Sequence, residues 1–201
     1  MNNLAPKLLK RLSVFIFFVF IANAFGQTDT SAAKNAKPKL IRGDVFIIEK
    51  ATTILPKDFT KLNPITTIFV NEINVADRSW NNGFPDLPEI FEWFAIEYKT
   101  TFRINQDGNY KFRVLSDDGS KLYIDKKVVV DNDGVHQFLP VGGSVKLAKG
   151  DHTFNLQFFQ GPRYQAGIQV FVKKDGSKEE IFPGNEIELL ADNNENPAPK
   201  P

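Results

Sequence analysis

Between residues 108 and 174 apolar and polar positions alternate with a period of two. Tyr110, Phe112 and Val114 alternate with Lys111 and Arg113. Phe154, Leu156 and Phe158 alternate with Thr153, Asn155 and Gln157, and Ile168, Val170 and Val172 with Gln169 and Phe171. Shorter runs follow the same rule at Leu122 and Ile124, at Val128 and Val130, and at Val145 and Leu147. Successive side chains of a strand point to opposite faces, so each run predicts a strand with one buried side. DG, KK and KG pairs separate the runs, as turns between antiparallel strands do. No stretch carries a long apolar stripe at helical spacing. The segment 56–88, rich in Pro, Asn and Gly, predicts loops and short strands. The pattern predicts an all-β fold, an antiparallel β-sandwich forming a single domain.

Composition sharpens this picture. With 201 residues, 42% of them hydrophobic, the chain can bury one sizeable core. Basic and acidic residues number 25 and 24, a balance that gives no case for nucleic acid or an anionic membrane as partner. Nineteen Phe suit strands. The absence of Cys excludes disulfides, Cys-based metal sites, thiol nucleophiles and a Cys-linked lipid anchor. Lys7, Lys10 and Arg11 precede the apolar run from Leu12 to Ala24, and small residues follow at Ala22, Ala24 and Gly26. This order predicts a signal peptide over 1–26. Its apolar run falls short of the roughly 20 residues of a membrane span, so no span is expected after cleavage. A flexible linker over 27–39, a folded domain over 40–190 and a disordered tail over 191–201 complete the layout. The mature chain is expected to be secreted or periplasmic.

Candidate chemistry is sparse. The two His, His136 and His152, have no metal-ligand spacing, and no G-x-S-x-G elbow is present. Carboxylates are plentiful, but nothing in the sequence pairs two of them across a cleft as glycoside hydrolysis requires. The chain is expected not to be an enzyme. Arg42-Gly43-Asp44 spells an adhesion tripeptide and reads as a turn leading into the strand VFIIE. Trp80 and Trp93 are expected to be buried, Trp93 within the core. The stretch RVLSDDGSKLYID is more informative, because Asp117 and Asp118 adjoin each other in a tight turn before Gly119. Their oxygens suit a hard cation such as calcium. The other reading is an Asx-type turn, with Gly119 supplying an unusual dihedral. Spacing alone favours the turn.

The longer run has more content. A GNYKFRV strand, the SDDGS turn, an LYID strand, a V-x-D element, a KLAKGDH turn, then a long strand, a loop and a final apolar strand follow in order. This succession resembles the protective antigen fourteen-kilodalton domain, a β-sandwich found in toxins, glycosidases and microbial adhesins. The resemblance covers 91–172 and is expected to extend back to residue 40. In sugar-binding members the matching acidic pair, here Asp117 and Asp118, is joined by a cis peptide and holds a calcium ion that also coordinates sugar hydroxyls. The loop QGPRYQ would add oxygens from Gln160 and Gly161. This chain departs from the pattern in carrying Arg163 there, whose guanidinium would repel calcium and can neutralise the pair itself. Calcium or Arg163 is therefore expected to face the doublet. The implied function is a secreted, non-catalytic, lectin-like carbohydrate-binding module that recognises a glycan or cell-surface carbohydrate through Asp117, Asp118, Gln160, Arg163 and Tyr164. The alternative is a cell-envelope protein-interaction or structural module with no small ligand.

Overall fold

The computed structural model describes residues 40–190; the signal peptide, linker and tail expected from the sequence lie outside them. Strands β1 (Ile41–Ile47), β2 (Thr66–Val70), β4 (Phe94–Ile104), β6 (Ser120–Ile124), β7 (Lys127–Asn132), β9 (Gly150–Gln160) and β12 (Ile187–Leu190) form the larger sheet. Their order is β2-β1-β4-β9-β6-β7, and β12 pairs with the part of β4 that β1 does not reach. Strands β3 (Asn74–Ser79), β5 (Gly108–Asp117), β8 (Leu139–Leu147), β10 (Gln165–Lys174) and β11 (Glu180–Ile181) form the smaller sheet. Its order is β11-β10-β5-β8, with β3 beside β11 on the same edge of β10. The pairings are antiparallel, and the described residues contain no α-helix. The alternation along the chain becomes two inner faces that close on each other, as expected.

Phe rings join the layers. Phe182 stacks on Phe154 with centroids 4.4 Å apart and meets Phe102 edge-on at 5.8 Å. Phe84, Phe94 and Phe158 form a second group between the sheets. A separate apolar cluster lies on the outer face of the larger sheet, where Phe46, Ala95 and Phe159 are covered by Ile48, Leu55 and Phe59. That cover lies over one end of the outer face; at the other end, polar side chains of β1, β4 and β9 stand in register.

Three expectations need correction. Arg42-Gly43-Asp44 is no turn: it lies inside β1, paired on both sides, with Arg42 Nε 3.0 Å from Asp44 Oδ1. Gly43 is required there because a Cβ would sit 2.9 Å from the Tyr98 ring. Val128 does not share the buried face of Val130, since a bulge between Leu122 and Tyr123 shifts the β6–β7 register and leaves Val128 53% exposed. The tryptophans are half-buried rather than buried, and Trp93 packs on the outer cluster instead of the main core. The loops and short strands expected over 56–88 are present.

One crossing positions the site. Strand β5 belongs to the smaller sheet and β6 to the larger, so Asp117-Asp118-Gly119 carries the chain between layers at one end of the sandwich. Beneath this corner, the Ser116 and Ser120 hydroxyls lie 2.8 Å apart, and Asn132 Nδ2 donates to Ser116 Oγ at 2.9 Å. Because Phe182 fills the space between sheets, Phe182→Ala should cost about 3–5 kcal/mol. That loss should lower the melting temperature by about 10 °C. Val128→Ala at the surface should change stability by less than about 0.5 kcal/mol, and thermal denaturation followed by circular dichroism distinguishes the two.

Candidate functional site

The corner is held by backbone donors from two other segments. Asp118 Oδ2 accepts the Gly161 N–H at 2.7 Å, and Asp118 Oδ1 accepts the His136 N–H at 3.2 Å. One carboxylate thus ties the β5–β6 corner to the β7–β8 connection and to the loop after β9. The Asp117–Asp118 peptide is cis, as the resemblance implied. Gly119 does not supply a left-handed dihedral; it is required because a Cβ would lie 2.4 Å from Phe159 and 2.7 Å from the Gly134 nitrogen. Both Asp side chains are buried.

Burial raises the Asp117 pKa to about 7; the charges of Asp118 and Asp77 add to the shift, while His136 and the Phe138 N–H oppose it. Asp118 is raised by burial as well, against the pull of the Gly161 and His136 N–H groups. Neither carboxylate forms an ion pair with a Lys or Arg among the described residues. Among the described residues, the corner therefore brings two buried carboxyl groups together without a Lys or Arg counter-charge.

Arg163 does not supply it. Its Nε lies 3.0 Å from Glu92 Oε1, and its guanidinium sits over Trp80 and Phe91 at 5.2 and 6.0 Å from the ring centroids. A tight turn, with Tyr164 N–H donating to the Pro162 carbonyl at 3.0 Å, places Arg163 among these competing partners. Gln160 is fully buried rather than at the rim, with Nε2 donating to the Pro162 and Gln165 carbonyls at 3.1 and 2.9 Å. Its Oε1 has no partner. The Gly161 carbonyl, expected as a ligand, accepts the Trp93 N–H at 3.1 Å, and Gly161 meets Asp118 by its own N–H instead. Tyr164, in the same loop, is 76% exposed.

The PA14 domain model matches residues 52–184, a span that includes the corner, its donors and the loop. The chain belongs to the PA14 domain family. No curated protein matches it. Among solved structures, the "PA14 sugar-binding domain from RTX adhesin" superposes with a TM-score of 0.62 at 19% identity, covering 73% of this chain and 96% of that one. An "anti-sigma factor domain-containing protein" gives 0.61 at 16% identity over 79% of this chain and 50% of that one. The epithelial adhesin 9 A domain from Candida glabrata, in complex with Galβ1-3GlcNAc, gives 0.51 at 12% identity over 77% and 91%. At these identities the likeness is one of fold.

Within this PA14 domain, sequence reasoning missed Asp77, His136 and Glu92. Nothing local announces Asp77 or His136, because β3 and the β7–β8 connection reach the corner only through the topology, and Glu92, just before β4, meets Arg163 of the loop after β9 by the same route. The donor set suits a hard cation in part: two buried carboxylates pushed toward neutrality would regain charge beside it, and the partnerless Gln160 Oε1 adds a potential oxygen. The described residues hold no group of three or more His, Asp or Glu in metal-binding arrangement, so remaining ligands would come from backbone, solvent or a bound molecule. Since Arg163 serves a half-exposed pair with Glu92, Arg163→Ala should cost no more than about 1 kcal/mol in urea denaturation. A loss of several kcal/mol would return the guanidinium to the doublet.

Proposed function

We propose that this PA14 domain is a secreted, non-catalytic carbohydrate-binding module whose glycan site is the Asp117–Asp118 corner, completed by calcium. The observation that carries this reading is the buried acidic pair, which has no Lys or Arg partner among the described residues and is tied through Gly161 N–H to the loop that carries the exposed Tyr164. Asp117 and Asp118 hold the ion, and Gln160, whose amide closes the loop from within, keeps the 161–164 backbone in place. When bound, the ion supplies a positive centre to which vicinal sugar hydroxyls can add their oxygens. Tyr164 offers its face to the C–H side of a ring, and the exposed part of Arg163 donates to hydroxyls at the rim. Membership in the PA14 family and the fold shared with adhesin domains described as sugar-binding or glycan-bound support the reading. The signal-like N-terminus supports export.

Calcium at about 100 times its dissociation constant should stabilise the protein by about 2.7 kcal/mol. The corresponding rise in melting temperature is about 5–10 °C. EDTA and the double change Asp117→Asn, Asp118→Asn should each abolish it. On a glycan array, Tyr164→Ala should weaken binding about tenfold with an unchanged melting temperature. No response to EDTA together with a blank array would remove this reading and favour a structural or protein-interaction module.

A further inference from the structure

The open end of the larger sheet's outer face holds a cleft of about 770 Å³. In register across five strands stand Phe69 of β2, Arg42 of β1, Lys99 of β4, Asn155 of β9 and Tyr123 of β6. All five line the cleft, with an aromatic ring at each end. Four inter-strand spacings separate those rings, about 19 Å along the row. The neighbouring row contributes Asp44, Glu97 and Gln157. Glu97 is buried and organises the floor: its Oε1 accepts Asn155 Nδ2 at 2.8 Å and Gln157 Nε2 at 3.4 Å, while Oε2 meets Lys99 Nζ at 2.6 Å. Asn155 Oδ1 is covered and has no donor among the described residues, so the Asn155 contact to a ligand is left to the remaining exposed part of the side chain.

We infer that this cleft is a second binding site, for the extended chain of an oligosaccharide, lying across the strands and independent of the acidic corner. The row is polar along its length and aromatic at its ends, the combination that sugar hydroxyls and C–H faces match. A peptide is less suited. The central strands β1, β4, β9 and β6 are paired on both edges, so no backbone ladder is open to an added strand.

The test titrates the full chain with linear hexasaccharides of glucose, mannose, xylose and N-acetylglucosamine in EDTA, following backbone 15N–1H signals. At least one should shift Lys99, Asn155 and Tyr123 while leaving Asp117 and Asp118 unmoved, and the matching monosaccharide should bind far more weakly. Tyr123→Ala should weaken binding about tenfold and Tyr123→Phe by less than about twofold, since stacking rather than the hydroxyl carries the contact. Tyr164→Ala should have no effect here, and binding that EDTA abolishes would belong to the corner instead. A blank panel, shifts confined to the corner, equal affinity in Tyr123→Ala, or occupation by extended peptides alone would overturn the inference.

Discussion

Two adjacent carboxylates are held out of water where the chain passes from one sheet to the other, and the end of the sandwich is built around that constraint. Asp118 uses both oxygens to fix backbone N–H groups from distant segments, so the corner, the 133–138 connection and the 161–164 loop form one unit. Asp117 gains less. Burial and the neighbouring charges of Asp118 and Asp77 push it toward its neutral form. Its folded pKa lies above the unfolded value, so its contribution to stability is full below the unfolded pKa and is lost as pH rises through about 7. A cation would remove that penalty and give the unit its missing counter-charge.

The same sandwich uses its outer face unevenly. Residues 48–62 cover the end of the larger sheet near the corner with apolar contacts. Further along the same strands, polar side chains replace apolar ones in register and the face opens into the cleft. β4 and β9 carry both environments: Ala95 and Phe159 lie under the cover, and Lys99 and Asn155 lie in the opening. The corner and the cleft thus share their load-carrying strands without sharing a side chain.

Much of this could be read along the chain. Period-two alternation identifies the strands because a pleated strand in a sandwich has one wet and one dry face. Gln160 follows the same rule: it continues the inward series Phe154, Leu156, Phe158, and its burial was legible from that series. The strand containing Arg42-Gly43-Asp44 was legible too, since Ile41 and Val45 keep the alternation on either side of the glycine. Arg163 was not legible, because attraction between opposite charges says nothing about direction, and Glu92, Trp80 and Phe91 compete for the guanidinium from another part of the fold. Asp77 and His136 were hidden for a related reason: their sequence separations from the doublet are closed only by sheet order.

Folding leaves the aspartate pair without a Lys or Arg partner among the described residues, and carboxyl-carbon NMR titration of the calcium-free protein reads the consequence at the two side chains themselves. Asp117 should titrate near pH 7 in EDTA and move well down when calcium is added. Both carboxyls titrating in the ordinary aspartate range, unmoved by calcium, would contradict it.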